Sequence, residues 1–496
     1  MRLLIIVQGN TATGTVTVTG TAVSGSSPET TPTIAIPPAG QNSLVTAFEY
    51  VTAATWSVVN ASGVTTSGLT NGTITIYGIQ AAKYLIPCIA DIEKDYKYFI
   101  PKEARGLFDA ETSMQQTVIE AKISKIDQAL YPEDSLFLGY MGISQSPTVT
   151  TIPSTPTVLK TATAVSGGPW GLTTQPTTPG MKLIFTVTAS SATGSIAITG
   201  TDQYGMAATE TVTCNGNGSN GNGTYYSAKV YSAVGSNGLA FTGLTSGSVA
   251  VSGVFGWQYV FVPDANALYS AAFEWYTGTD SHAVPWGHFT DIEVEFGVEK
   301  EVKVAFKGNC QDKLPIGDRT TNPLSTSRVT ALGQPTDLPM IGWQTAIYVD
   351  ALTGTPGTTA YSDVIDGKIS IKVPQKSIWT STVTQRFSRL YRQQRSVVAT
   401  AQIDFVNLTR YEQWRKNIQE FLAFTLQGAY IGNVAGTIYN KSYQWIFPVQ
   451  YAKFKEDATK LENVTAELEC KGIYAPSAGY SHKLVVINQQ APVYTS

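Results

Sequence analysis

The 496-residue chain carries 44 Gly and 24 Pro, has 14 % charged residues against 10 % aromatic, and has a formal net charge of −3. At roughly 100–200 residues per domain this length predicts three or four modules, and the acidic balance argues against a generic nucleic-acid binder. The low charge predicts a surface that an assembly largely covers, while the Gly, Pro, Thr, Ser and Val content predicts a mainly β (α+β) protein.

Cys88, Cys214, Cys310 and Cys470 lie far apart without CxxC spacing, a pattern of reduced thiols rather than a zinc site or disulfide scaffold. The run Leu3–Val7 falls short of the roughly 7–15 apolar residues of a signal peptide and reads as a strand. No run approaches the ~18 residues of a membrane helix, so the expectation is a chain soluble before assembly, with no membrane partner.

In chain order, the first feature is an internal repeat. Met1–Val7 and Ala12–Thr21 return 180 residues later as Met181–Val187 and Ala192–Thr201, and Gly68–Ile76 returns as Gly243–Val251. Each copy alternates short strands with Gly/Asn turns, which predicts two immunoglobulin-like β-sandwich modules. Thr157–Ala164 reads as an extra strand that the first copy lacks, so a neighbouring segment or subunit is expected to cover that copy's edge. Asn215–Gly223 reads as a loop.

Between the copies, Thr117–Ile123 reads as a strand and Pro132–Leu138 as the start of a helix. Pro147–Pro179 is a Thr/Pro/Ser linker, and Gly256–Pro263 is a further strand. Asp291–Phe296 and Glu301–Lys307 form a predicted hairpin with Ile292, Val294 and Phe296 on its apolar side and acids facing lysines on the other. After a linker at Asp312–Pro339 come strands at Ile347–Asp350, Lys368–Val373, Ser396–Phe405, Tyr443–Val449 and Val464–Cys470. Thr409 and Glu412 have capping-box spacing, and Tyr411, Trp414, Ile418 and Phe421 would form the apolar stripe of the helix that follows. On that reading Arg415, Lys416, Gln419 and Glu420 take its polar face, and Phe421–Leu426 is the next strand.

Catalytic motifs are missing. Asp280, His282 and His288 read as a solvated loop rather than a metal site, and no nucleophile elbow, phosphate loop or HExxH occurs, so no enzyme and no cofactor is expected. Trp257, Trp275 and Trp286 would suit a carbohydrate platform, but core packing is the commoner use of such residues. The unusual charge pattern is Arg386, Arg389, Arg392 and Arg395, spaced three apart and interleaved with Phe387, Leu390 and Tyr391. This basic loop reads as a solvated hairpin tip, a contact with an acidic face of a neighbouring subunit, or a nucleic-acid contact.

From Tyr259 to about Tyr480 the ordered set of elements resembles the major tail tube proteins of long-tailed (siphovirus-like) bacteriophages. The residues that carry the resemblance are Trp257-x-Tyr259-x-Phe261-x-Pro263, the hairpin Asp291–Lys307, Tyr348-Val349-Asp350 with the Gly354–Thr359 turn, Asp366–Ile371, the strand into Tyr411–Arg415, and the closing strand into Cys470-Lys471-Gly472. The resemblance implies a tail-tube β-sandwich or barrel with a flanking helix, sheets joined side by side into rings, and rings stacked into the conduit for genome ejection. It implies a virion protein assembled in the host cytoplasm, with tape-measure and tail terminator or tip proteins as partners and double-stranded DNA passing without specific binding.

Residue by residue, it implies a ring-stacking loop at Arg386, Arg389, Tyr391, Arg392 and Arg395. It implies an inter-subunit or core helix at Tyr411, Trp414 and Ile418, and lumen acids among Asp291, Glu293, Glu295, Glu467 and Glu469. The domain reading is 1–80 and 147–256 (linker included) for the immunoglobulin-like modules, 81–146 with 257–335 for one tube domain, 336–480 for a second, and 481–496 for a C-terminal extension. A duplicated tube domain implies a trimeric ring with pseudo-sixfold symmetry, a hexamer being the other possibility. A tail-surface or capsid decoration protein with immunoglobulin-like modules is the rival reading.

Overall fold

The computed structural model describes residues 2–492 apart from 9–13, 23–28, 31–33, 37–46, 52–55, 68–72, 80–87, 100–114, 133–134, 145–146, 215–220, 245, 264–270, 280, 311, 316–336, 379–388, 405–407 and 458–464. The protein is mainly β, built from antiparallel sheets. No helix among the described residues is long and apolar enough to cross a membrane.

Eight strands make a continuous wall: β1 (Ile89–Phe99), β2 (Gln115–Ala129), β3 (Ser281–Gly297), β4 (Lys303–Cys310), β5 (Val364–Lys372), β6 (Ser396–Asp404), β8 (Thr437–Asp457) and β9 (Thr465–Gly472). Helix α1 (Ser135–Gly142) follows β2, while α2 (Thr409–Arg415) and β7 (Gln419–Val434) follow β6. The spatial order is β1-β2-β4-β3-β5-β6-β9-β8. The first four strands and the last four therefore have the same order relative to the chain, and in each unit a helix follows the second strand.

Bulges fall at matching places in the two units. The β3/β4 ladder slips between Phe289 and Asp291, opposite Gly308 and Lys307; the β8/β9 ladder slips between Tyr451 and Lys453, opposite Cys470 and Glu469. The units meet where β3 pairs β5, from Asp291 opposite Lys372 to Gly297 opposite Asp366.

Period-2 alternation gives the wall one packed face. Ile292, Val294, Phe296, Val304, Phe306, Ile369, Ile371, Val397, Ala399, Leu468 and Cys470 are all buried in one core. A second layer closes that core: strand Thr345–Ala351, β7, the first half of β8, and strands Lys483–Asn488, Gly256–Phe261 and Thr148–Ile152. Phe296 meets Phe424 across the layers at 5.2 Å, and Phe137 of α1 sits edge-on to Phe306 at 5.5 Å. Helix α1 approaches closely because it presents glycine there. A Cβ on Gly139 would stand 2.4 Å from the Phe261 ring.

In β7 every residue from Glu420 to Leu426 is buried, because Phe421 and Ala423 face a separate cluster with Ile446 and Val485. Both faces are covered, as a continuous apolar run requires. Residues 481–496, expected to be an extension, instead contain the interior strand Lys483–Asn488, with Leu484 and Val486 fully buried. Only four apolar residues mark that strand, too few to separate it from a tail.

The internal repeat has a structural counterpart. Strand Gly14–Ala22 pairs Trp56–Ser67 with Val18 opposite Val64, Gly20 opposite Val59 and Ala22 opposite Trp56. Strand Gly194–Asp202 pairs Gly223–Thr242 with Ile198 opposite Leu239, Gly200 opposite Val234 and Asp202 opposite Tyr231, the same slips at the same positions. In the second copy Thr157–Ala164 pairs Ser248–Val254, as expected. In the first copy the corresponding strand, Thr73–Ile79, ends its sheet among the described residues.

The inserted module keeps its own core, including Phe185, Tyr231 and Leu239, and packs on the main body through Phe255, Val434, Tyr439 and Ile487. Residues 215–220 of the predicted Asn/Gly loop lie outside the described residues.

The Tyr348–Asp350 motif acquires a physical role. Asp350 is buried and accepts bonds from the Gly357, Thr358 and Thr359 amides at 2.7, 3.1 and 2.8 Å and from the Thr358 hydroxyl at 2.6 Å. Burial pushes this carboxyl up, but the four donors outweigh it and hold the pKa at about 2. A depressed carboxyl stabilises the fold above its unfolded pKa of about 3.9 and loses that contribution as pH falls towards 2. Asp350→Asn is expected to cost about 1.5–3 kcal/mol at pH 7, the cost shrinking between about pH 4 and 2. Urea midpoints at several pH values check this; a pH-independent cost would contradict it.

Candidate assembly surface

Among the described residues, the face of the wall opposite the core is open. Cross-strand register places Asp291, Glu293, Glu295, Glu467 and Glu469 all on it, joining two sets of acids that lie far apart in sequence. One row reads Ala129, Lys303, Glu295, Lys368, Thr400, Glu469, Lys453 across seven strands. Acids alternate with lysines, so the face is mixed rather than acidic. Lys368 meets Glu293 at 2.9 Å and Lys453 meets Glu467 at 3.0 Å, and Lys125 pairs Asp127. Each half-exposed pair contributes about 1 kcal/mol or less.

The arginine segment is partly described. Strand Gln375–Ile378 pairs Arg389–Arg392, with Gln375 opposite Arg392 and Ile378 opposite Arg389, as a two-stranded ribbon joined to no other strand among the described residues. Tyr391 is 54 % exposed. Arg395 stands at the foot of the ribbon, half-buried, and Arg386 lies outside the described residues.

The helix reading needs correction. Helix α2 begins at Thr409 with Leu408 as its N-cap and no side-chain cap bond, since leucine has no acceptor for the first-turn amides, and Glu412 binds Lys416 at 2.7 Å and Arg415 at 3.3 Å. The helix ends at Arg415, Asn417 takes φ 55°, and the chain turns into β7. Ile418 therefore leaves the stripe and is 38 % exposed. Tyr411 and Trp414 remain on the inner face, at 5.6 and 6.3 Å from Phe454 of β8.

Glu420, expected on the polar face of that helix, is a buried acceptor. It takes bonds from Tyr451 Oη at 2.5 Å, Gln413 Nε2 at 2.7 Å and Arg410 Nη1 at 3.2 Å, while the Arg410 guanidinium lies 4.4 Å from the Tyr361 ring centroid. Burial pulls the Arg410 pKa down, but Tyr451, Glu420 and Tyr361 outweigh it and hold the group firmly charged. Spacing gave no signal for this cluster, since its members come from α2, β7, β8 and a loop.

His282 and His288 are not in a loop. Both sit in β3, His282 tilted against Trp275 at 5.5 Å and His288 buried. Their strand was obscured by Pro285 and Gly287. Asp280 lies outside the described residues. No cluster of metal-ligating side chains occurs among the described residues. Trp257 is a core residue, and Lys313 covers Trp275 at 4.5 Å. Cys214, Cys310 and Cys470 are free and buried, and burial pushes their thiols up to about 12.

Fold and surface together define a mainly β protein whose largest feature is a laterally extended, charge-balanced wall. No protein-family model matches the chain, and no curated protein is similar to it.

Proposed function

We propose that the chain is a structural virion protein that polymerises into stacked rings, forming the tail tube of a long-tailed bacteriophage through which the genome leaves. The observation that carries this reading is the wall, two units of equal strand order already joined edge to edge, with one face packed and the other open. A sheet that grows laterally by repeating one contact closes into a ring when the rotation permits.

Strand spacing supports three chains per ring. Three chains give twenty-four strands, which at about 4.8 Å each enclose a backbone circle at least about 37 Å across, and wider as the strands tilt. Side chains take roughly 5 Å from each side, so three chains leave a bore that passes a duplex about 20 Å wide. The alternating charges of Asp291, Glu293, Glu295, Glu467 and Glu469 with their lysines leave no run of cations to hold the duplex. The ribbon bearing Arg389, Tyr391 and Arg392 is the contact to the next ring. The two repeated modules decorate the outside, and tape-measure and terminator or tip proteins are the other partners.

Negative-stain microscopy across a concentration series tests the reading. Hollow stacked rings are the expected result. Dispersed monomers at every concentration, with tail-initiation proteins supplied, would overturn it in favour of a decoration protein.

A further inference from the structure

The internal seam defines a second, unfilled one. At the seam Glu293 of β3 lies opposite Ser370 of β5, and its carboxylate reaches diagonally to Lys368 at 2.9 Å. The matching bulges of β3/β4 and β8/β9 make Lys455 the counterpart of Glu293. The ladders β1/β2/β4 and β5/β6/β9 likewise make Asp91 the counterpart of Lys368 and Glu93 that of Ser370.

Among the described residues both counterpart edges stand open. Strand β1 ends the sheet, and on the side of β8 away from β9 the pairing with β7 stops at Gln450 opposite Gln419, with no strand described beside Tyr451–Asp457. Lys455, Glu93 and Asp91 are exposed.

Resting on the tube reading above, we propose that the second half of β8 pairs antiparallel with β1 of a second copy of this chain, in the register of the internal seam. Lys455 then faces Glu93 and reaches diagonally to Asp91. The occupant is a second copy because the Lys455 site carries the internal seam's charges with reversed sign, Lys455 for Glu293 and Asp91 for Lys368, and the same register sets Lys453 opposite Asp95; one position, Asp457 opposite Asp91, brings two acids together. A one-residue slip would turn Lys455 to the packed face. Like charges at this position would oppose pairing.

The test uses the full chain carrying Cys88→Ser, with Lys455→Cys and Glu93→Cys added together. Directly opposed residues have Cβ atoms about 4.5–5.5 Å apart, near disulfide reach, so mild oxidation is expected to give covalent trimers on non-reducing gels. Either cysteine alone should give none. In parallel, Lys455→Glu is expected to lower the pelletable assembled fraction at least about tenfold, and adding Glu93→Lys and Asp91→Lys is expected to restore it.

Rings that form normally with Lys455→Glu, and no cross-link from the double cysteine, would overturn this register while leaving the tube reading intact. A folded chain that never forms rings and never cross-links would overturn both.

Discussion

Glu420→Ala is expected to destabilise the protein by about 3–5 kcal/mol, because it strands the Arg410 guanidinium in a site that offers it little water. The Arg410 side chain is 12 % exposed and that of Glu420 10 %. Removing the carboxylate takes three donors' acceptor at once: Tyr451, Gln413 and Arg410. The cluster fastens α2 to β7 and β8, so the loss should appear first as detachment of the helix from Phe454 and then as a lowered urea midpoint. A double replacement, Arg410→Met with Glu420→Leu, removes both charges and should recover most of the stability, since a buried ion pair is worth little over well-packed apolar groups. Equal destabilisation by the single and double variants would contradict this assignment.

Phe255→Ala should cost about 3–5 kcal/mol as well, through the cavity it leaves. Phe255 is 4 % exposed and sits where the inserted module meets the β7–β8 hairpin; a Cβ on Gly432 would stand 2.3 Å from its ring. The ring belongs to the module's core cluster, to which Val434, Tyr439 and Ile487 contribute from the main body. Truncation therefore weakens the junction more than either partner. The expected result is that calorimetry resolves two transitions in the variant, with proteolysis near Ile152 and Val254 accelerated. One cooperative transition, merely shifted down, would show that the ring stabilises the body as a whole.

Local pattern carried much of the fold. The alternation in Asp291–Phe296 and Ser396–Ile403, and the 180-residue repeat, were legible because their signals are periodic and short-range. Other features depend on partners far away in the chain. The β3–β5 seam pairs residues about 70 to 80 positions apart, from Gly297 with Asp366 to Asp291 with Lys372, and nothing local announces it. Whether Glu295 and Glu469 share a face needs the register of three intervening ladders.

Ile418 and Phe421 continue a 3.6-residue spacing by accident, which carries the expected helix past its actual end at Arg415. Asn417 at positive φ breaks the helix between them and the true stripe. Glu420 then changed from a solvated residue to a buried one. The capping-box spacing does not mark the start because the N-cap falls one residue earlier, on Leu408, whose side chain carries no acceptor.

Helical reconstruction of tubes assembled from the purified chain tests the central claim most directly. The expected map has three chains per ring, a continuous β wall around the lumen, and the row of Glu295, Lys368 and Glu469 on its inner surface. Six chains per ring, or a lumen lined by anything other than the open face of this wall, would contradict it.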